Sequence, residues 1–324
     1  MSEPGPATTM AALAQLLRGS RGFAHKRDID SVMSALAGAH PSGIAVGDDC
    51  AAIPDGDGWL LFAIEGFMNE FVASEPWFAG YCGVMVNVSD IYAMGGRPIA
   101  IVDALWSRGS DAATPILEGM AAASRVYGVP IVGGHSNLRT EREQLAVAIV
   151  GRARRLLSSF DARESEHLVA AIDLRGQYQE PHAYWNASTG APPERLRADL
   201  ELLPALAEDG LVAAAKDISM AGVVGTALML LECSRLGAVI DVDRIPRPDG
   251  VALERWLATF PSYGFLLSVP EENLATVLRR FEERGIACAA IGQVDASGAV
   301  RLRRGDDVET LWDFSDEAFI GCGR

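Results

Sequence analysis

Short runs of β-branched and apolar residues alternate with helical patterns along most of this 324-residue chain, and this alternation constrains the fold more than any other feature. Between residues 44 and 155, four runs are predicted to be strands and two longer amphipathic stretches are predicted to be helices. The strands are 59–65, 98–105, 129–132 and 145–150, and the helices are 77–94 and 111–127. The pattern predicts an α/β fold.

The alternation starts again after a charged stretch, so the sequence predicts two domains, 1–157 and 158–324. The predicted elements of the second half are strands 168–172, 212–215, 238–242, 265–269 and 287–294 and helices 193–208, 221–236 and 273–284. The "DASG" turn at 295–298 predicts a late hairpin between the strands on either side of it. Residues 177–193, rich in aromatic side chains, are predicted to be one long loop that closes over a substrate.

Composition excludes several classes of protein. A net charge of -15 repels a phosphate backbone, so broad nucleic-acid binding is not expected. No segment is long and uncharged enough to span a bilayer, and the N-terminus lacks the pattern of a secretory signal. The five cysteines are scattered without a CxxC pair, which indicates reduced, mostly buried thiols. These features together favour a cytoplasmic protein.

Acidic or amide side chains stand at the ends of four apolar runs. They are Asp48 and Asp49 in "VGDDCAAI", Glu65 in "LLFAIEG", Asn87 and Asp90 in "VNVSDIYAMGG", and Asp217 in "AAAKDIS". Buried carboxylates are costly unless they are solvated, paired or metal-bound, and Mg²⁺ collects oxygen ligands beside substrate phosphates. The arrangement predicts a magnesium–nucleotide site. Two alternatives stay open: "GDD" also fits a plain turn, and the pair in the helix also fits hydrogen bonds to neighbouring backbone or to each other.

Other candidates are less specific. Gly133 and Gly134 follow a strand, where the backbone can approach a ligand closely, and His135 beside them fits either a ligand or a structural histidine. His25 and Lys26 precede a predicted helix and fit either a phosphate contact or a solvated segment. The chain has no GxxxxGK or GxGxxG nucleotide loop and no credible Ser-His-Asp or Cys-His constellation.

The motifs, taken in order, resemble the aminoimidazole ribonucleotide (AIR) synthetase superfamily, also called PurM-like. The series is "VGDDCAAI", "IEGF", "VNVSDIYAMGGRP", "GVPIVGGHSN", "KDISMAG" with "LLECSRLGAVIDVDRIP", and "IGQV", and it covers about residues 22–294. The superfamily includes thiamine-monophosphate kinase, selenophosphate synthetase, the hydrogenase-maturation carbamoyl dehydratase and formylglycinamidine ribonucleotide synthase.

The resemblance implies a PurM-like two-domain α/β (α+β) fold. Its N-terminal sheet would pair with a second copy in a dimeric barrel, and a mixed-sheet α/β domain would follow. ATP and Mg²⁺ would be the cofactors. By position, the magnesium ligands would be Asp49, Glu65, Asp90 and Asp217, Asn87 would contact the site, and Ser219 would approach the nucleotide. Lys26 falls where selenophosphate synthetase has a functional lysine, but this chain has no cysteine there, which argues against selenium chemistry.

Departures from the pattern indicate a separate AIR synthetase-related branch. Relatives usually have an acid where this chain has His135 and an aspartate where it has Glu65, and "DISMAG" places Met220 where "DLSDG" has a second acid. "PSYGF" replaces "GEDYE", so the substrate is not that of a thiamine-monophosphate kinase. "RESEHL" also stands where "RPGD" is usual.

The sequence therefore favours a homodimeric, kinase-, ligase- or synthetase-like enzyme that uses ATP and Mg²⁺ to phosphorylate an oxygen of a small metabolite. Lys26 and His25 are the candidates for contacting the transferred phosphoryl group or the substrate. The alternative, motivated by His135 and Met220, is a catalytically diverged nucleotide-binding sensor or partner-binding protein. A purely structural dimer is a third possibility, and it predicts no nucleotide binding.

Overall fold

A computed structural model describes residues 9–36, 39 and 44–322 and confirms the predicted α/β class. The first eight residues, part of the segment on which the absence of a secretory signal was judged, lie outside the described residues. The chain forms two compact units, and neither is one continuous stretch of sequence. None of the helices in the described part of the chain has the length and apolar character of a membrane-spanning segment. The predicted division into 1–157 and 158–324 stays a prediction.

The five-stranded unit comprises Asp49–Leu157 and Ser188–Gly210. Its elements are β1 (Ala51–Asp55), β2 (Gly58–Gly66), α3 (Asn69–Ser74), α4 (Pro76–Ala93), β3 (Gly96–Trp106), α5 (Ser110–Tyr127), β4 (Ile131–Asn137), β5 (Gln144–Ala153), α6 (Pro193–Leu200) and α7 (Leu202–Glu208). The strand order is β1-β2-β5-β3-β4, and only the β3–β4 pair is parallel. Strands β1 and β2, which hold the runs "CAAI" and "LLFAIE", pair as an antiparallel hairpin.

Helix α4 is the centre of this unit. It packs on β2, β3 and β5 with one side and on α5 with another, so nearly all its residues are buried. Two glycines let the helices touch: a Cβ on Gly119 would lie 1.9 Å from the Trp77 carbonyl oxygen, and one on Gly80 would lie 2.0 Å from that of Ile116. The helix ends at Ala93 with Met94 as its C-cap, and Gly95 turns the chain with a φ of +73°.

The seven-stranded unit comprises the described residues of Met1–Asp48, Ser158–Ala187 and Leu211–Arg324. Its helices are α1 (Met10–Arg18), α2 (Arg21–Leu36), α8 (Gly222–Ser234), α9 (Leu253–Leu257) and α10 (Glu271–Glu282). Its main sheet contains β6 (His167–Ile172), β9 (Ala214–Asp217), β10 (Gly237–Asp241), β12 (Gly264–Val269), β13 (Ala287–Asp295), β14 (Ala299–Arg304) and β15 (Asp307–Asp313). The strand order is β15-β14-β10-β13-β6-β12-β9.

The predicted late hairpin is wrong. Strands β13 and β14 flank the "DASG" turn in sequence but do not pair, because β10 lies between them. Strand β10 has two hydrogen-bonding edges, and it pairs antiparallel with β13 at one and parallel with β14 at the other. The true hairpin is β14–β15.

The predicted long loop is also wrong in part. It contains β7 (Gln177–Tyr178) and β8 (Tyr184–Asn186), which pair with each other, and β8 also pairs with β11 (Phe260–Pro261). Among its aromatic residues, Trp185 is buried against Tyr178 and Trp256, and the half-buried ring of His182 stacks on Tyr184. Closure of this segment over a substrate stays a prediction.

The expectation of reduced cysteines is wrong for one pair, since Cys233 and Cys322 form a disulfide. The cysteines of the described chain outside this disulfide are Cys50, Cys82 and Cys288. Burial raises the pKa of the Cys82 thiol and raises that of Cys288 to about 12. Neither of these two thiols is therefore poised as a nucleophile near neutral pH.

Replacing Gly119 by alanine is expected to destabilise the chain, because the new methyl group meets backbone atoms of Trp77 that cannot rotate away. Overpacking of this kind costs about 1–3 kcal/mol, which outweighs the roughly 1 kcal/mol that alanine gains over glycine within a helix. Urea unfolding measures the change as a lower midpoint. Gly66→Ala is the control, since a Cβ there meets nothing within 4 Å. Equal midpoints for the two variants would contradict close α4–α5 packing.

Candidate metal and nucleotide site

Two acids of the five-stranded unit come close together. Asp49 stands just before β1, and Asp90 lies in the last turn of α4 with only 6 % of its surface exposed. One carboxylate oxygen of each lies within 4.8 Å of the other. Two carboxylates at such a distance repel each other, and a bound cation or a proton offsets that repulsion. The pair offers the oxygen ligands that hard divalent cations prefer.

Asn87 adds a third oxygen on the same helix. Its side chain is completely buried, and its Nδ2 donates a hydrogen bond of 2.8 Å to the Gly83 carbonyl oxygen. Its Oδ1 has no hydrogen-bond partner among the described residues. The alternative of backbone bonding therefore accounts for the amide nitrogen but not for the amide oxygen. A buried acceptor left without a donor costs about 1–3 kcal/mol, so the donor set fits a bound cation.

Residues that pair across four neighbouring strands place two more acids on the side of the sheet that α4 covers. Glu65 is paired with Val147, Val147 with Asp103, and Asp103 with Gly134. Val147 faces α4, because it would touch a Cβ on Gly83 at 2.8 Å. Residues directly opposite in a sheet share a face, so Glu65 and Asp103 point to that side, with Glu65 exposed near the end of β2.

Asp103 was not among the residues singled out from the sequence. Burial raises the pKa of its carboxyl, and Gly134 opens the space beside it, since a Cβ there would lie 2.4 Å from Asp103 Oδ1. The only signal in the sequence was an acid inside an otherwise apolar strand. The two glycines of "GVPIVGGHS" thus lie where the backbone passes a partly buried carboxylate.

His135 lies on the opposite face of the sheet. It is paired with Ala104, one residue beyond the Asp103–Gly134 pair, and its ring lies 6.2 Å from that of Trp106. Alternation along a strand sends successive side chains to opposite faces. The structure therefore does not bring His135 to the side that holds Asn87 and Asp90.

Asp217 and Ser219 belong to the seven-stranded unit. Asp217 is the last residue of β9 and is buried, and α8 begins five residues later at Gly222, whose φ is +67°. Ser219 Oγ is buried and has no hydrogen-bond partner among the described residues. Lys216, also buried, is a second residue that was not predicted from the sequence.

The first turn of α2 packs on the segment that follows Asp217. A Cβ on Gly22 would lie 2.3 Å from the Met220 carbonyl oxygen, so only glycine allows this approach. His25 and Lys26, one turn further on, lie within α2, so the prediction that they precede a helix is wrong. Both are half-buried, and Arg21 Nε donates a 3.4 Å hydrogen bond to His25 Nε2. The structure thus places both predicted catalytic residues in the same unit as Ser219 and Asp217.

Asp48 has a different set of partners from Asp49. Its Oδ2 accepts hydrogen bonds from Ser158 Oγ at 2.8 Å and from the Ser159 backbone N–H at 2.9 Å, and its Oδ1 accepts one from Ser159 Oγ at 2.7 Å. These bonds explain the carboxylate as a structural anchor within the seven-stranded unit. A metal role for Asp48 stays a prediction that this geometry does not favour.

Comparison with known proteins confirms the resemblance read from the motifs. Residues 47–153 match the family described as AIR synthase related protein, N-terminal domain, and residues 167–305 match its C-terminal domain. The chain is 46 % identical to the uncharacterized protein sll0787 of Synechocystis sp. over 310 residues, which is 94 % of this chain and 96 % of that protein. It is 28 % identical over 293 residues to the thiamine-monophosphate kinase of Pyrococcus horikoshii, covering 82 % and 88 % of the two chains.

Solved structures share the fold. T. maritima PurL complexed with AMPPCP superposes with a TM-score of 0.74 at 21 % identity, over 92 % of this chain and 50 % of PurL. AaThiL complexed with AMPPCP and TMP gives 0.66 at 20 % identity, over 88 % and 96 %. The chain therefore spans about half the length of PurL and most of the length of AaThiL.

Asp103→Asn is expected to melt at a higher temperature than the parent chain at neutral pH. A raised pKa in the folded state means that the folded chain holds this proton more tightly than the unfolded chain does. Stability from this group is therefore lost as pH rises from the ordinary value of 3.8 through the raised value, and the amide removes that loss. Melting curves between pH 3.5 and 8 measure the difference, which should shrink towards the acid end.

Asp57→Asn is the control for charge removal, because hydrogen bonding to Arg152 lowers the pKa of that exposed carboxyl. A lowered pKa means that the charged form of Asp57 stabilises the folded chain at neutral pH, so Asp57→Asn is not expected to raise the melting temperature there. A gain for Asp103→Asn that stays constant across the pH range would contradict desolvation as its cause.

Proposed function

This chain belongs to the AIR synthase related protein family, and we propose that it is an ATP- and Mg²⁺-dependent enzyme that phosphorylates an oxygen of a small metabolite. The observation that carries the proposal is the Asp49–Asp90 pair with the unsatisfied Asn87 Oδ1 on the same helix. Support comes from a relative named as a kinase and from fold neighbours that were solved with AMPPCP.

Asp49 and Asp90 would hold the magnesium that accompanies the nucleotide. The Asn87 Oδ1 atom, which is otherwise unsatisfied, would bind this magnesium directly or through a bound water. Glu65 faces the same side of the sheet and is long enough to reach beyond the strand end. Asp217 remains a further ligand predicted from the sequence. Magnesium held by Asp49 and Asp90 would neutralise negative charge on the phosphates of the nucleotide.

The residues of the chain itself would orient the reactants. Lys26 and His25 would contact the transferred phosphoryl group or the substrate, and Ser219, just ahead of α8, would donate to the nucleotide. Phosphoryl transfer needs little covalent help from a protein, because positioned donors and cations supply most of the stabilisation of the transition state. Gly133 and Gly134 would let the backbone of β4 approach the ligand.

Mg·ATP is expected to raise the melting temperature of the chain, and Asp90→Asn and Asp49→Asn should each abolish most of that rise. A ligand at about 100 times its Kd stabilises the folded state by about 2.7 kcal/mol, and a hundredfold weaker site loses most of it. Thermal-shift titrations with ATP, ADP and AMPPCP, each with Mg²⁺ or EDTA, provide the measurement. Asp57→Asn is the matched control, since it removes an exposed carboxylate from the same unit.

The same titration separates the competing functions. Magnesium-dependent binding that Asp90→Asn removes, followed by ATP consumption with one member of a metabolite panel, supports the enzyme. Binding without consumption under any substrate favours the diverged sensor that Met220 and His135 motivate. No shift with any nucleotide would set aside both and leave the structural dimer.

We further propose that the chain forms a homodimer through the face of the five-stranded sheet that α4 does not cover. Phe62, Ile64 and Val102 lie on this face and are 50 %, 64 % and 42 % exposed. Ile53, Ile99 and Val132 are exposed large hydrophobic residues of the same sheet. Contiguous apolar surface of this kind is typical of an interface, and the resemblance to the family supplies the second copy as its partner.

Phe62→Asp combined with Ile64→Asp is expected to convert a dimer to a monomer of 34.5 kDa. Two buried carboxylates facing a second copy would cost several kcal/mol of association free energy. Light scattering behind size exclusion measures the mass, and circular dichroism checks that the fold is kept. Val308→Asp, at an exposed apolar position in the other unit, should leave the mass unchanged. A monomeric parent chain would refute the proposal.

A further inference from the structure

The disulfide between Cys233 and Cys322 joins two parts of the seven-stranded unit that are 89 residues apart in sequence. Cys233 is the penultimate residue of α8, and Cys322 is the last residue of a segment, residues 318–322, whose backbone binds the end of that helix. Both cysteines are buried. The bond is therefore built into the packing of the unit rather than lying on its surface.

The 318–322 segment is held by more than the sulfurs. The Glu232 carboxylate accepts hydrogen bonds from the backbone N–H groups of Phe319 at 2.9 Å, Ile320 at 2.7 Å and Gly321 at 3.3 Å. The Phe319 ring packs edge-on against Phe23 and Trp312. Breaking the sulfur bond thus leaves the segment docked, and the consequences fall on whatever the sulfurs themselves touch.

The sulfurs touch the residues that lead into the proposed metal site. Cys322 Sγ lies 3.6 Å from the Val46 carbonyl oxygen, and Cys233 Sγ lies 3.8 Å from that of Gly47. We call residues 46–48 the lead-in segment, because the next residue is Asp49. A Cβ on Gly47 would lie 2.7 Å from Cys322 Sγ, and the Gly47 φ of +123° is one that other residues rarely adopt. The segment is thus packed directly against the sulfur pair.

The other end of the lead-in segment is fixed to the same helix end. Asp48 accepts its three hydrogen bonds from Ser158 and Ser159. The Ser159 carbonyl oxygen accepts a 2.6 Å hydrogen bond from Ser234 Oγ, and Ser234 is the neighbour of Cys233. The lead-in segment is therefore held at the end of α8 in two ways, by contacts with the sulfurs and by hydrogen bonds through Ser158 and Ser159.

We propose that Cys233 and Cys322 form a redox-active site whose disulfide fixes the lead-in segment and so positions Asp49 for magnesium and nucleotide. The part of this inference that concerns ligand affinity rests on the proposed function. The part that concerns the lead-in segment rests on the sulfur contacts alone. Oxidation gives the high-affinity form, and reduction gives the low-affinity form.

Reduction is an exchange with a dithiol. A thiolate of the reductant attacks Cys322 Sγ, and the Cys233 thiolate leaves and takes up a proton. The second thiolate of the reductant then attacks its own sulfur in the mixed disulfide and releases Cys322 as a thiol. Two electrons and two protons pass to the protein, and the reductant leaves as a disulfide. Because both sulfurs are buried, the exchange requires local opening of residues 318–322.

Reduction changes the space that the two sulfurs occupy. Bonded sulfurs are separated by about 2.05 Å, whereas non-bonded heavy atoms pack at roughly 3.5–4.0 Å. The sulfurs must move apart by more than an ångström, and Gly47 packs closely enough that a Cβ on it would lie 2.7 Å from Cys322 Sγ. The lead-in segment is therefore expected to shift on reduction while Asp48 stays bound to its serines.

The first experiment follows the protein itself. The full chain is equilibrated with oxidised or reduced dithiothreitol, its free thiols are alkylated under denaturing conditions, and the adducts are counted by mass spectrometry. Three of the five cysteines should react in the oxidised form and all five in the reduced form. Hydrogen exchange of the 44–50 backbone should be faster after reduction, with 167–172 unchanged. Five reactive thiols in both forms, or equal exchange at 44–50, would overturn the proposal.

The second experiment follows ligand affinity. Reduction, or the Cys322→Ser substitution, is expected to weaken Mg·ADP binding about tenfold, the scale on which partners outside the ligand sphere affect metal affinity. Cys288→Ser is the control, since Cys288 is a free cysteine of the same unit. Equal affinity in the two redox forms would overturn the positioning of Asp49. If neither form binds nucleotide, the proposed function fails, and the exchange at 44–50 still decides the role of the sulfur pair.

Discussion

The burial of α4 on nearly every side is the constraint on which the five-stranded unit depends. The sheet lies against one side of this helix and α5 against another, and glycines 80 and 119 bring the two helix backbones into contact. A helix enclosed in this way is expected to be apolar all round. Asn87 and Asp90 break that rule, and a polar group in such a place persists only where something compensates its desolvation. The packing that stabilises α4 thus also makes Asn87 and Asp90 evidence for a compensating ligand or partner.

The passage from Asp48 to Asp49 shows how neighbouring acids can have separate tasks. The serines that bind Asp48 satisfy its carboxylate within the seven-stranded unit. Asp49, one residue later, belongs to the five-stranded unit and lies near Asp90. Fixing the first acid limits the conformations open to the second, because only a few backbone dihedral angles separate them. The sequence pattern alone could not divide these roles, since both residues look equally suited to a metal.

The features that the sequence predicted correctly were the ones that depend on local periodicity. Helix α4 and the strand β2 were predicted to within one or two residues, because their apolar spacing and the glycines at their ends are local signals. The prediction of a β13–β14 hairpin failed because β10, which lies between these strands, comes from a distant part of the sequence, and a local turn pattern does not reveal it. The Cys233–Cys322 disulfide was not predicted for the same reason, since 89 residues separate the two cysteines. The face on which His135 lies depends on the register of β4 with β3, which periodicity does not fix.

That register bears on whether this branch of the family keeps a working site. His135 replaces an acid of the resembling families, and this departure alone would suggest lost chemistry. In this chain, however, residue 135 points away from α4, whereas Asp103 on the adjacent strand points towards it across Gly134. Asp103 is paired with Val147, which faces α4, so its carboxyl group lies on the helix-covered face whatever residue stands at position 135. His135 therefore does not by itself argue for a protein that has lost turnover.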